Sequence, residues 1–219
     1  QGLWGTSVGG TETLTSDQPL PEDAWPVPVT ATEQRTLQLH FEKGEFVGID
    51  DERFTDKVAA IQALEAITAP YGIGRDIHVG DTIIGIKGRV GFAAAAAILI
   101  IKSHHLLEKH TLAKWQLFWK EQLSNWYGMM LHEGQFLDPV MRDVEAFLES
   151  SQSTVNGSVG VDLFPYRYQL RGVTSQNDLL GAGFGAYGEA NEGWSGDDVR
   201  GFTKVMAIAG KVRKSVGNE

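Results

Sequence analysis

Three stretches decide the fold: AAAAAILIIKSHHLLEK at residues 93–109, LAKWQLFWKEQLSNWYGMM at 112–130, and DPVMRDVEAFL at 138–148. The first has the highest helix propensity in the chain and is apolar on nearly every side through Ile101 before it turns polar, so its first half is expected to be deeply buried. In the second, Leu112, Trp115, Trp119, Leu123, Trp126 and Met130 recur every three or four residues, which marks a helix with a wide aromatic stripe. The third opens with Asp138 as a cap and Pro139 at the first helical position, with Val140, Val144, Phe147 and Leu148 turned inward. Three consecutive helices are therefore predicted in the middle of the chain.

Outward from that block the pattern changes to strands. Upstream, Leu37, Leu39 and Phe41 alternate with polar residues, Lys43-Gly44 supplies a turn, and Val47 and Ile49 resume the alternation, which predicts a hairpin. From Thr55 a helix follows with Val58, Ile61, Leu64 and Ile67 as its buried stripe, Asp56 in its first turn and Pro70 past its end. Between Arg75 and Lys87 two short apolar runs around Asp81 carry Ile77, Val79, Thr82, Ile83 and Ile84, β-branched residues that favour another strand pair. Downstream, Val159, Val161 and Leu163 face Tyr166, Tyr168 and Leu170 around Phe164-Pro165, a further hairpin. A last helix opens at Ser195 with Val199, Phe202, Met206 and Ala209 on one face and Lys211, Arg213 and Lys214 near its end. Helices and strand pairs are segregated, so the class is α+β with mainly antiparallel sheet, a block of three helices and a C-terminal helix. The first thirty residues, with Pro19, Pro21, Pro26 and Pro28, read as a long surface arm.

Composition narrows the function. The 219 residues carry a formal net charge of -9 and are 42% hydrophobic, which fits a soluble globular chain and argues against nucleic acid or an anionic membrane as partner. The absence of cysteine rules out disulfides, thiolate metal sites and cysteine nucleophiles in this stretch and fits a cytoplasmic location. The longest apolar run, Phe92 to Ile101, is far short of the ~20 residues that span a bilayer. The chain opens on Gln1 rather than Met, and the expectation is that more sequence precedes it.

Several residues could carry chemistry. His104, His105 and His110 invite a metal, but adjacent and five-apart histidines do not match the one-turn pair of a zinc helix, and no metal is expected. Val8-Gly9-Gly10-Thr11 and the Gly181 to Gly185 run could offer backbone amides to an anion, but neither is followed by the Lys-Ser or Lys-Thr of a phosphate-binding loop. Arg75, Lys87 and Arg89, with Asp76 and Asp81 close by, could hold a substrate carboxylate or close on themselves as ion pairs. Trp115, Trp119 and Trp126 fit a core or a subunit interface better than a platform for bases.

Specific segments resemble argininosuccinate synthase. Gly72-Ile73-Gly74-Arg75-Asp76-Ile77 followed by Gly85-Ile86-Lys87-Gly88-Arg89 is similar to that family's Gly-Ile-Gly-Arg element and its Gly-x-Lys-x-Arg continuation. Leu3-Trp4-Gly5-Thr6-Ser7 resembles its Asn-Leu-Trp-Gly-x-Ser element. His104-His105-Leu106-Leu107-Glu108, Phe136-Leu137-Asp138-Pro139, Ser150-Ser151-Gln152, Val155 to Val159 and Asp198 to Phe202 follow in the family's order, so the resemblance covers essentially the whole chain. It implies an enzyme that joins citrulline and aspartate while cleaving ATP, with Mg, to AMP and pyrophosphate through an adenylated citrulline. The family's Ser-Gly-Gly-Leu-Asp-Ser loop and its aspartate-binding segment do not occur in this sequence, so ATP is expected to be held mainly by an amino-terminal part and this stretch alone to be inactive.

By that resemblance Ser7 matches the second of two citrulline-contacting serines, Arg75, Lys87 and Arg89 organise the cleft, and residues 1–194 form a substrate-binding synthetase domain. Residues 195–219 would be an oligomerisation helix and tail of a homotetramer. Where the family places a Glu and, twelve residues on, a Tyr near the citrulline head group, this sequence has Gly80 and Phe92. Five alanines then replace its Glu-Thr-Pro. The expectation is a substrate that is citrulline in free or N-acylated form. The competing reading is a catalytically silent oligomerisation or regulatory domain derived from that enzyme.

Overall fold

The computed structural model describes residues 2–181 and 193–217. The chain forms two compact units, residues 1–179 and 180–219. The first unit holds eight strands in two antiparallel sheets and a set of helices, and the α+β class follows directly from it.

The larger sheet has the order β4-β3-β2-β7-β8, with β2 at Arg35–Glu42, β3 at Glu45–Ile49, β4 at Glu52–Arg53, β7 at Gly157–Phe164 and β8 at Arg167–Thr174. Leu37, Leu39 and Phe41 on β2 pair in register with Val161, Val159 and Gly157 on β7. Alternation therefore puts the buried residues Leu37, Leu39, Phe41, Val159, Val161 and Leu163 on one face. Helices α1 (Lys57–Thr68) and α2 (Ala95–Thr111) cover that face. Burial of large aliphatic side chains here, each worth about 1.5–3 kcal/mol, is the main source of stability in the unit.

α1 is capped by Asp56, whose carboxylate accepts the Val58 amide at 2.9 Å, so Asp56 stands just before the first turn rather than within it. Its buried positions are Ala60, Leu64 and Thr68. Val58, expected inward, is 45% exposed, because the stripe that meets the sheet is rotated toward the small Ala60. α2 starts at Ala95, two residues later than its alanine run. Ala93 ends a strand, and Ala94 has no side chain with which to cap. Glu65 of α1 supplies the missing acceptor, taking the Ala96 amide at 2.8 Å. Ala95, Ala96, Ala97, Leu99 and Ile100 are buried, so the first half of α2 is the core helix expected.

α3 (Lys114–His132) and α4 (Pro139–Gln152, capped by Asp138) complete the block of three consecutive helices. Met141 and Val144 of α4 are buried. The tryptophans of α3 are not part of the core: Trp115 is 64%, Trp119 54% and Trp126 39% exposed.

The smaller sheet has the order β1-β6-β5, with β1 at Thr6–Val8, β5 at Arg75–Asp81 and β6 at Lys87–Ala93. Thr82, Ile83 and Ile84, expected in a strand, form the turn between β5 and β6. The Thr82 amide bonds to Ile86 O and the Gly85 amide to Thr82 O, and the two isoleucines stand exposed. Gly74 enters β5 with φ +72, and a Cβ there would lie 2.5 Å from Ala94 O. Only glycine lets this turn approach the start of α2 so closely.

In the second unit Ser195 caps α5 (Gly196–Met206) in a reciprocal box with Asp198. The C-terminal helix is interrupted at Ala207 and resumes as α6 (Ile208–Val216). Neither piece has a buried residue.

Candidate functional site

The geometry of the smaller sheet sorts the candidate residues. Ser7 stands opposite Phe92, and Phe92 stands opposite Asp76. His78 pairs with Val90 and Gly80 with Gly88 in the same unbroken register. Directly opposed residues share a face, and residues two apart return to it. Ser7, Phe92, Asp76, His78 and Gly80 therefore lie on one face, and Arg75, Asp81, Lys87 and Arg89 lie on the other.

The second face is covered by the N-terminal arm. Arg89 donates from Nη1 to Glu12 O at 2.7 Å and Thr15 O at 2.9 Å, and from Nη2 to Gln18 O at 2.8 Å. Arg75 donates to Glu22 Oε1 at 2.6 Å and to Val27 O, and its guanidinium lies over the Trp25 ring. Leu20 is buried where a Gly91 side chain would otherwise stand. Both guanidiniums thus spend their donors on the arm. Lys87 forms a 2.5 Å ion pair with Asp81 at the exposed end of the hairpin. The Gly10 amide of the glycine pair following β1 is directed at Thr13 Oγ1, and of the Gly181 to Gly185 run only Gly181 lies within the described residues.

The first face is open. Ser7, Asp76, His78, Gly80 and Gly88 are exposed, and a Cβ built on Gly80 or Gly88 meets nothing within 4 Å. The Phe92 ring is set edge-on to His78 with centroids 6.0 Å apart. It also fills the space beside Gly5, where a Cβ would come within 2.5 Å of the ring. The face thus offers a hydroxyl, a carboxylate, an imidazole and an aromatic surface beside a bare strip of backbone. This set can bind a polar, extended amino-acid-like molecule by hydrogen bonds and apolar contact.

A second feature was not found by sequence reasoning. A cleft of about 850 Å³ lies between the β2–β3 turn and helices α2, α3 and α4, lined in part by Lys43, Lys57, His104, Lys120 and Gln152. Beneath it Glu108 has no exposed surface, yet it is ionised: Lys120 Nζ donates to Oε2 at 2.7 Å and Gln152 Nε2 to Oε1 at 2.9 Å. Burial opposes that charge, but His104, the Lys120 ammonium and the Gln152 amide outweigh it and hold the carboxyl below the usual carboxylate range. Burial pushes the His104 imidazole below its usual value, against the pull of Glu108. His104 Nε2 bonds to Gln152 Oε1 at 2.7 Å. The signal in the sequence was a glutamate four residues after His104 and directly after the apolar pair Leu106-Leu107. Among the described residues no group of three or more histidines and carboxylates is placed to hold a metal. No helix there is long and apolar enough to cross a membrane.

A family profile described as the arginosuccinate synthase C-terminal domain matches residues 1–213. The chain belongs to the argininosuccinate synthase family. It is 34% identical over 189 residues to the argininosuccinate synthase of Xanthomonas campestris pv. campestris, covering 86% of this chain and 46% of that protein. It is 31% identical over 217 residues to that of Dehalococcoides mccartyi, covering 97% and 53%. The Methanocaldococcus jannaschii argininosuccinate synthase is 33% identical over 167 residues, covering 75% and 42%. The chain spans about half the length of these curated relatives. In this chain Ser7, Phe92 and Gly80 lie on the same face of the small sheet.

Proposed function

We propose that this chain is the C-terminal portion of an argininosuccinate synthase that joins citrulline, in free or N-acylated form, to aspartate at the expense of ATP, yielding argininosuccinate or its N-acyl counterpart, AMP and pyrophosphate in arginine biosynthesis. Its contribution is the open face of the small sheet. The observation that carries the reading is that the register brings Ser7, far upstream in sequence, onto the same open face of the small sheet as Gly80 and Phe92. The Ser7 hydroxyl fixes the substrate by hydrogen bonding, and the Phe92 ring lines its aliphatic stem.

Arg75 and Arg89 act from behind, by tying the arm to the sheet and so fixing the plane on which Ser7 stands. ATP with Mg, and most of the aspartate contacts, belong to the other half of the enzyme. Residues 195–219 mediate assembly into a homotetramer, because an exposed amphipathic helix pair has an apolar face to cover. The location of such a biosynthetic enzyme is the cytoplasm.

The test is turnover of the full-length protein with citrulline or its N-acyl derivatives, aspartate and MgATP. Ser7→Ala should raise KM for the citrulline substrate about ten-fold, the cost of one lost hydrogen bond. Absence of any ligase activity in the full-length protein would instead favour the second reading, a silent oligomerisation domain. The observation behind that alternative is the lack of polar side chains at Gly80 and Phe92.

A further inference from the structure

The cleft beside the β2–β3 turn takes no part in the proposed reaction, yet its walls are fixed. The turn is fastened to the segment after α4: the Lys43 amide donates to Asn156 Oδ1 at 2.7 Å and the Gly44 amide to Val155 O at 2.9 Å. Gly44, at φ +78, packs so closely on Gln152 that a Cβ would run into its side chain. On the helical side His104, Lys120 and Gln152 are tied into the bonds around the buried Glu108. A cavity of about 850 Å³ with such walls falls in the size range of small-molecule sites.

Its charges do not cancel internally. Lys57 is paired with Glu45 at 2.8 Å and Lys120 with Glu108 at 2.7 Å. Glu42, Lys43 and Glu149 remain, lining the cleft with no ion pair among the described residues. Two carboxylates and one ammonium complement a molecule with two cations and one anion. Their placement narrows the choice. Glu42 and Lys43 are consecutive at the turn, which suits an ammonium and a carboxylate borne on a single carbon. Glu149 belongs to α4 and so reaches a different part of the same molecule, and the neighbouring Leu148, with Val47 of β3, offers apolar surface for a stem between the charges.

We infer that this cleft is a binding site for a free α-amino acid with a cationic side chain, of the arginine or ornithine type. Lys43 pairs with its carboxylate, Glu42 with its α-ammonium and Glu149 with the side-chain cation. None of the residues lining the cleft belongs to the small sheet, so the site is separate from the one proposed for citrulline.

The test is calorimetric titration of the full-length protein with L-arginine and L-ornithine, and with three relatives that each lack one charge. L-norleucine lacks the side-chain cation, agmatine the carboxylate and Nα-acetylarginine the α-ammonium. Arginine and ornithine should bind, and each relative should bind about ten-fold more weakly, the loss expected for one charged contact. Glu149→Gln, Lys43→Met and Glu42→Gln should each weaken arginine by a similar factor. Each should also abolish discrimination against one relative alone: norleucine for Glu149→Gln, agmatine for Lys43→Met and acetylarginine for Glu42→Gln. Ser7→Ala should leave the affinity for arginine unchanged, and that result holds whether or not the protein proves to be a synthase. No binding of arginine or ornithine at millimolar concentration overturns the proposal. Binding that Ser7→Ala weakens also overturns it, by placing the ligand on the open face. So does a loss in the three cleft variants that leaves all three discriminations intact, because direct pairing requires each to disappear with its own partner.

Discussion

Lys120 Nζ on α3 lies 2.7 Å from Oε2 of Glu108 on α2, a carboxylate with no exposed surface. Gln152 of α4 completes the contact, so one buried charge ties together all three central helices. Removing its cation leaves that charge uncompensated. Lys120→Met should cost about 3–5 kcal/mol in urea unfolding of the chain. The paired change Glu108→Leu with Lys120→Met should cost less than Lys120→Met alone. Equal losses would show that packing, not charge, sets the penalty.

Acid should weaken the fold in two stages. His104 has its pKa lowered from 6.5 by burial, so as pH falls below about 6.5 the unfolded chain takes up a proton that the folded one refuses, and stability drops. Glu108 has a folded pKa below 4.5. Its contribution is therefore full above about pH 4.5 and is lost as pH falls further through the depressed value. Urea midpoints between pH 7.5 and 4 should decline throughout, and His104→Asn should flatten the upper part of the curve. A wild-type midpoint constant from pH 7.5 to 5 would contradict the assignment.

Arg89 holds three carbonyls of the arm. Hydrogen bonds from a charged donor contribute about 1.5–3 kcal/mol each, so Arg89→Ala should expose the arm. Cleavage at Glu12 and Glu22 by a glutamyl endopeptidase should accelerate at least about ten-fold, in proportion to the open population. Arg89→Lys should rescue little, because one ammonium cannot reproduce a planar fork over three acceptors. An unchanged cleavage rate would mean the arm is held elsewhere, with Arg75 as the remaining anchor.

The proposed substrate preference rests on charge at the open face. There a free α-ammonium would draw on a counter-charge, and by the resemblance Gly80 stands where the family has a Glu. The full-length enzyme should favour N-acetyl- or N-succinylcitrulline over citrulline in kcat/KM by roughly ten- to a hundred-fold. Gly80→Glu, with nothing within 4 Å of its Cβ, should shift the preference back toward free citrulline. A wild-type preference for free citrulline would instead assign the pairing to Asp76, the carboxylate on that face, and not to Asp81, which is bound to Lys87 on the other.

Much of this was legible from periodicity. The hairpins, the caps at Asp138 and Ser195 and the central helices follow from side-chain spacing, which reports which residues must be covered. Spacing does not report what covers them. The stripe on α3 reads as apolar whether it meets a core or a second molecule, and Val58 was misplaced because a small residue, Ala60, took the contact. Arg75 and Arg89 looked like ligands because the sequence shows cations near carboxylates. Their real partners are mostly backbone carbonyls of a proline-rich arm about fifty to eighty residues away, and a carbonyl has no letter in the sequence. The division of the six candidates between two faces required only the strand register, yet a register shift of one residue would have reversed it.

The arm strapped across the back of the small sheet has a consequence for how this protein can change. Positions 76, 78, 80 and 92 alternate with the clamp residues, so a mutation at any of them leaves the Arg75 and Arg89 anchors in place. Ligand preference can thus be rewritten on one surface while the other keeps the sheet assembled. A randomised library at those four positions should stay largely folded, whereas an equal number of changes at 75, 77, 89 and 91 should yield mostly insoluble chains.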